Sequence, residues 1–399
     1  MSVTHIDLEV AKRFLTSAKY MNISEATSID DDAVDVISKF KGYHLCLDGL
    51  TELSDSAAGV IANYHAQLDL NGLTELSDAA AESLAKHHAG LSLNGLTELS
   101  DFAAKAFASY TPNSMSSLLL NGLTDLSDVA AESLAKHKRH ISLNGLKKLS
   151  DAAAKAFAKH QGGLDLNGLS QISDAAAVEL AKYEGDLKLN GLSELSDAAA
   201  KSIAKKQVGG LSLDGLIELS DAVAESLANY GGLILSLKGV SKISENAAKA
   251  LVKYDKHHDH STATPTLFLN GLIDLSDAAA AALAKHQGGL QLDGLTQISD
   301  AAAKELTMHN GSGQGLSLDG IINLSDSSAK SFAKYKGTLS MKGLNELSDS
   351  AAKAIAKHKG RLHLSSEIKI SDVAAEALST KKGDICYQRP SDWVKSIRK

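Results

Sequence analysis

The sequence predicts an α/β fold: a right-handed, curved solenoid with a parallel strand ladder on one face and short helices on the other. Three observations predict it. A 23-residue unit, LDLNGLTELSDAAAESLAKHHAG at residues 68–90, recurs with small changes along nearly the whole chain. Within each unit a period-two run of leucines gives way to helical spacing. One strand, a bend, a helix and a tight return in so few residues stack only with strands parallel and helices on the opposite side.

Laid on itself at this period, the chain shows strand starts at Met21, Leu45, Leu68, Leu91, Leu118, Ile141, Leu164, Leu187, Leu211, Leu235, Leu267, Leu290, Leu316, Leu339 and Leu362. These are fifteen units, with a broken sixteenth at Ile385. A fixed period of this size marks units that bury their apolar faces only against one another. At roughly 4.8 Å between neighbouring strands, the ladder is on the order of 70 Å long.

Each element of the unit has a local cause. Leu68 and Leu70 alternate as a short strand requires, and Asn71 and Gly72 end it, because both tolerate backbone angles that other residues resist. Leu73 and Leu76 carry the bend. Ser77 and Asp78 then stand where a helix needs acceptors for its free N–H groups and an acid for its positive end. Ala80 and Leu84 continue the apolar stripe, and the small Ala80, Ala81 and Ala85 let the helix lie close to the strands. Lys86 suits the negative pole.

In chain order, residues 5–19 read as an amphipathic helix with Ile6, Val10 and Phe14 on one side, so 1–20 form an N-terminal capping helix. Residues 21–386 form the solenoid of about 15 units. Its first unit keeps Ile29, Asp31 and Ala33 but lacks the Asn-Gly turn. Insertions precede Leu118 (TPNSMSS), Leu267 (about 255–266) and Leu316 (GSGQG). Residues 387–399 form a C-terminal capping helix with Trp393 and Ile397 on one face. A solenoid grows as one body, so the 399 residues make one capped domain.

LxL strands followed by a Leu-spaced bend and an AAxxLA helix resemble the leucine-rich repeat proteins, particularly bacterial forms with a short helix per repeat. The resemblance covers about 21–386. It departs from the family pattern in one place: that family has Asn at the third residue after LxL, where this chain has Leu73 and its counterparts. The resemblance implies protein–protein recognition as the commonest role.

Composition narrows the function. A net charge of −7, with Lys far outnumbering Arg, is no nucleic-acid surface, and no apolar run reaches membrane-spanning length. MSVTHIDLEVAKRFL mixes charges into its apolar pattern, unlike a secretory signal, so cytoplasmic residence is expected, with export by a specialised system as the alternative. Cys46 and Cys386 fall at opposite ends of the expected ladder, too far apart for a disulfide. A Gly-rich phosphate loop, HExxH, CxxC and GxSxG are all missing from the sequence. The chain therefore reads as a non-enzymatic scaffold without a cofactor.

Stacking turns recurring positions into columns. The outward strand column comprises Asp69, Ser92, Leu119, Ser142, Asp165, Lys188, Ser212, Ser236, Phe268, Gln291, Ser317 and Ser340. It is the expected concave partner-binding face, taking a protein partner on a monomeric chain. The residue after each LxL, Asn71 and its counterparts, is expected to bond between neighbours or to its turn. The acids Asp55, Asp78, Asp101 and onwards read as helix caps, with calcium as the alternative. A helix-end column interchanges His87, His137, His160, His286, His309 and His358 with Tyr64, Tyr110, Tyr183, Tyr230, Tyr254 and Tyr335, which reads as packing.

Two further readings complete the analysis. His257, His258, Asp259 and His260 lie in the longest insertion, where no repeat rule demands them, and suit zinc or nickel; a metal-binding repeat protein is thus the alternative to a scaffold, as is a secreted effector or adhesion module recognising a host protein or glycan. Leu119 and Phe268 interrupt the polar outward column just after insertions, and Met115 and Pro265 are expected to help cover them.

Overall fold

The computed structural model describes residues 3–18, 21–111, 113, 116–257, 265–310 and 315–397. The chain divides into two units, Met1–Leu192 and Ser193–Lys399. The same local physics builds each.

In the first unit, the ladder strands are His44–Cys46, Gln67–Asp69, Leu91–Ser92, Ser117–Leu119, His140–Ser142, Leu164–Asp165 and Leu187–Lys188. They pair in parallel, with Leu45, Leu68, Leu91, Leu118, Ile141, Leu164 and Leu187 in register. A short helix follows each strand, as in Asp78–Leu84 and Asp151–Phe157. Between the two layers, Leu68, Leu70, Leu73, Ala80, Ala81 and Leu84 are fully buried, and their counterparts repeat this core in each turn. The ladder is thus a consequence of one apolar set meeting its copies.

At the start of the chain, the helix runs over Leu8–Ser17, with Asp7 accepting the Val10 N–H at its N-terminus. Ile6, expected on that helix, instead lies in a strand, His5–Ile6, paired in parallel with Ser28–Ile29. The segment is the second half of a repeat: Ile6-Asp7 matches the apolar-then-cap order of Leu76-Ser77, and the pairing offset is the repeat length. Phe14 is buried and packs on Phe40, ring centroids 4.8 Å apart.

The second unit has the ladder strands Gly210–Ser212, Ile234–Ser236, Thr266–Phe268, Gly289–Gln291, Leu316–Ser317, Leu339–Met341 and Leu362–Leu364, also parallel and leucine to leucine. Ile385 adds a parallel bridge to Leu362. The helix Pro390–Ile397 follows and buries Trp393 and Val394. Among the described residues, no helix is long and apolar enough to cross a membrane.

The helix starts corrected one expectation. Serine, not the acid, is the cap: the Ser77, Ser150 and Ser299 side chains accept the N–H of Ala80, Ala153 and Ala302. The acid in the helix's first position instead accepts a hydrogen bond from the hydroxyl of the next unit's serine. Ser54 donates to Asp31 at 2.7 Å, Ser348 to Asp326 at 2.6 Å, and the pairs Ser77–Asp55 and Ser371–Asp349 repeat the bond. Each serine hydroxyl accepts within its own helix and donates across the stack. These bonds hold the Asp221, Asp300 and Asp326 carboxyls below the usual carboxylate range. A depressed carboxylate stabilises the fold above its ordinary pKa, and that contribution is lost as pH falls through the depressed value.

The turn glycine has a different reason from the expected one. Gly72 and Gly145 do not adopt positive φ. They are needed because the preceding unit's backbone passes beneath them: a Cβ at Gly145 would lie 2.2 Å from the Asn121 carbonyl oxygen and 2.4 Å from that of Leu123. Gly145→Ala therefore destabilises the chain by about 1–3 kcal/mol, the usual range for forced overpacking. Gly59→Ala has the opposite sign, since an added Cβ on that exposed helix meets only the Ser83 Oγ, at 3.8 Å, and alanine is a better helix former by about 1 kcal/mol. Urea denaturation of both variants checks the pair; a loss at both positions would contradict the close-approach explanation.

Candidate functional site on the strand face

Three residues of each repeat face outward from the ladder: the one before the first leucine, the one between the leucines, and the one after the second. The last of these forms the spine of the face. In the first unit, the Asn71 side-chain oxygen accepts the Asn94 N–H at 2.9 Å, Asn94 accepts that of Asn121 at 3.0 Å, Asn121 that of Asn144 at 2.9 Å and Asn144 that of Asn167 at 2.9 Å. In the second unit, Asp214, Asp293 and Asp319 do the same for Lys238, Asp319 and Lys342. An amide-to-backbone ladder is therefore present, at the position next to the strand.

This spine recruits the column expected to bind a partner. Ser92 and Ser142 donate to Asn71 and Asn121 at 2.6 and 2.7 Å, and Ser236, Ser317 and Ser340 donate to Asp214, Asp293 and Asp319 at 2.5 Å. These five serines are buried. Asp69, Leu119, Asp165, Lys188, Ser212, Phe268 and Gln291 are half-buried, so none of the twelve stands fully in solvent. Strands this close let neighbouring side chains roof one another. Phe268 is half-buried and has the Lys238 ammonium 5.0 Å above its ring. Pro265 is buried, whereas Met115 lies outside the described residues.

Charge gathers at discrete points. In the first unit, Asp165 is clasped by Lys188 Nζ at 2.8 Å and His140 Nε2 at 3.1 Å, which hold its carboxyl below the usual range, the histidine bond contributing most. At the ladder's start, His44 Nε2 lies 2.6 Å from Asp69, and the Cys46 thiol donates to Asp48 at 3.2 Å. Burial, aided by the nearby carboxylates, pushes the Cys46 thiol up to about 11. In the second unit, Lys342 pairs with Asp319 at 3.2 Å. Sequence reasoning missed His44 and His140, which precede Leu45 and Ile141; strand alternation places them on this face. The metal reading at His257, His258, Asp259 and His260 lies beyond the description: His257 ends the 3-10 turn Val252–His257, and the other three are outside the described residues.

Behind the strands, the helix-end column is a stack of rings. Tyr110 and His137 lie 5.6 Å apart and nearly parallel, and the second unit continues Tyr254–His286–His309–Tyr335–His358 at 6.0 to 6.2 Å. Several members of the column also donate hydrogen bonds, although the ring nitrogens of His137 and His358 have no hydrogen-bond partner. The hydroxyls of Tyr64, Tyr183, Tyr230 and Tyr254 reach the Gly42, Gly162, Gly209 and Gly232 carbonyls of the preceding return turn, at 2.5 to 2.7 Å, and His309 Nε2 reaches Gly288 at 3.0 Å. Two lysines occupy the same column, as the period alone would have shown. Lys206 is 1 % exposed. Lys381 donates to the Gly360 carbonyl at 2.7 Å, and burial pushes its ammonium down to about 8.

Strand, bend and helix repeated along a parallel ladder, with an amide spine beside the strands, define a leucine-rich-repeat-like α/β solenoid. Solved structures similar to this chain include an internalin from Listeria monocytogenes, 13% identical over 96% of this chain and 94% of its own, TM-score 0.39. A leucine-rich repeat protein from Leptospira interrogans is 15% identical over 96% of this chain and 99% of its own, TM-score 0.36. A chain of the Toll–Spatzle complex from Drosophila is 17% identical over 80% of this chain and 41% of its own, TM-score 0.48. No protein-family model matches the chain, and no curated protein matches it.

Burial also makes the ring column acid-sensitive. It lowers His87, His160 and His358, and brings His137 down to about 4 from 6.5. A histidine neutral in the fold but protonated when unfolded contributes full stability above about pH 6.5, and that contribution is lost as pH falls towards 4. His137→Tyr, which places the column's other ring there, removes this dependence. Urea midpoints from pH 7 to pH 4 will show the wild type losing up to about 1.4 kcal/mol more per pH unit than the variant; parallel slopes would contradict the assignment.

Proposed function

We propose that this chain is a non-enzymatic scaffold that receives a protein partner on its strand face. The observation that carries the reading is the pinning of that face. Its backbone is held by the amide spine, and its charged groups are held by one another, as Asp165 is between His140 and Lys188. Such a surface loses little freedom when a partner docks, which is where association costs fall. The column varies in charge and size while the frame beneath it stays constant, the usual economy of a repeat binding surface. The Phe14 helix beside the first repeat and the Trp393 helix beside the last bury apolar side chains on which a further copy would otherwise stack, which supports a monomer.

The test is a pull-down from the native source using wild type, a face variant (Asp69→Lys, Asp165→Lys, Lys188→Glu) and a helix-side control (Lys86→Glu, Glu132→Lys, Lys159→Glu). Circular dichroism confirms that all three are folded. A protein retained by wild type and control but lost from the face variant is the expected result. Equal retention by all three would overturn the strand face as the binding surface.

A further inference from the structure

The start of the ladder holds a group of side chains of which the scaffold reading uses only Asp69. His44, Cys46 and Asp48 alternate along one strand and its exit, so all three lie on the outward face, and Cys46 is paired in register with Asp69 on the neighbouring strand. The Cys46 sulfur, an Asp48 oxygen and an Asp69 oxygen all lie within 4.8 Å of one another. The His44 imidazole is bonded to Asp69 at 2.6 Å.

The carboxylates are held ready. One oxygen of Asp48 accepts both the backbone N–H and the side-chain amide of Asn71, at 3.1 and 2.8 Å, while the other faces the thiol. One oxygen of Asp69 accepts the Gln67 amide at 2.8 Å, while the other faces His44. Asp48 is thus anchored through one oxygen with the second turned to the thiol, and Asp69 is held at both oxygens, as supporting bonds orient metal ligands. The repeat does not require this composition. From Asn71 to Asn190 the spine position is asparagine in every repeat of the first unit, and an asparagine oxygen makes the spine bond equally well. The thiol stands where the repeat favours serine, whereas aspartate recurs at the spine in Asp214, Asp293 and Asp319 and histidine before the strand in His140.

We propose that Cys46, Asp48 and Asp69 form a mononuclear site for a borderline divalent transition metal, zinc foremost, with His44 supporting Asp69 from outside it. A thiolate selects against calcium and magnesium, which take all-oxygen shells, and three protein donors leave the fourth position of a tetrahedral zinc to water. Donors around such an ion stand about 3.3–3.8 Å apart, and the thiol and Asp48 oxygen are already 3.2 Å apart. Binding forms a sulfur–metal bond in place of the sulfur–hydrogen bond, the proton leaving to buffer.

The experiment uses the full chain under a phosphine reductant. Cobalt(II) is titrated and followed by the thiolate-to-cobalt absorption band in the near ultraviolet, and zinc(II) is titrated by calorimetry. Wild type is expected to bind one equivalent of each, with the band. Cys46→Ser loses the band, and Asp48→Asn, which keeps the spine acceptor, weakens zinc by about tenfold or more. Cys386→Ser and the loop variant His257→Ala/His258→Ala/His260→Ala keep both band and affinity. The proposal is overturned if wild type shows no saturable equivalent, if the band survives Cys46→Ser, if Asp48→Asn binds as wild type does, or if the loop variant abolishes binding.

Discussion

Everything in this fold depends on how closely one repeat sits on the next. Parallel strands stack at about 4.8 Å, and at that spacing the backbone of each unit lies directly on the Asn-Gly turn of its neighbour, leaving room for a hydrogen but not for a Cβ. The leucine core supplies the attraction, but many apolar shapes would stack. What selects this spacing is the set of polar bonds that reach only this far: Asn oxygen to the next N–H, cap serine to the preceding aspartate, ring-column donor to the preceding return turn. The first and last satisfy polar groups that the close stack has cut off from water, while the serine–aspartate pairs lie exposed at the helix starts and add register.

Much of this was legible because a repeat shows its register in the letters. Every strand start from Leu45 to Leu362 falls in a ladder strand, since an apolar set with a constant period has only one way to align with itself. Ile6 was less legible. In isolation its spacing to Val10 and Phe14 fits a helix, and only pairing with Ile29 reveals a strand. The turn glycine was read correctly as necessary but for a local reason, because a clash with another unit's carbonyls has no signature within one unit.

The polar columns show where single-unit reasoning ends. Serine and aspartate at the helix start looked like two local caps; in three dimensions one caps and the other crosses to the neighbour. Histidine and tyrosine interchange looked like ring packing, and the rings do stack. The two lysines in the same column add a requirement that ring shape cannot explain: a donor for a buried carbonyl. That requirement falls on a carbonyl of the preceding unit, so it is visible only once the units are laid side by side. The cluster at Cys46 follows the same logic, since adding one repeat length to Cys46 lands on Asp69.

The strand face carries a final consequence of the spacing. Where the residue between the leucines is serine, the spine absorbs its hydroxyl and neighbouring side chains roof it, so it offers a partner little beyond shape. Long and charged side chains rise above that roof. They do so where the residue before the strand's first apolar position joins a charged neighbour across the strands, as His140 and Lys188 both join Asp165, and as His44 joins Asp69. In a ladder this tight, chemical identity is therefore carried by two adjacent columns acting across strands rather than by one column read alone. The serines between these clusters hold the frame that keeps the clusters in place.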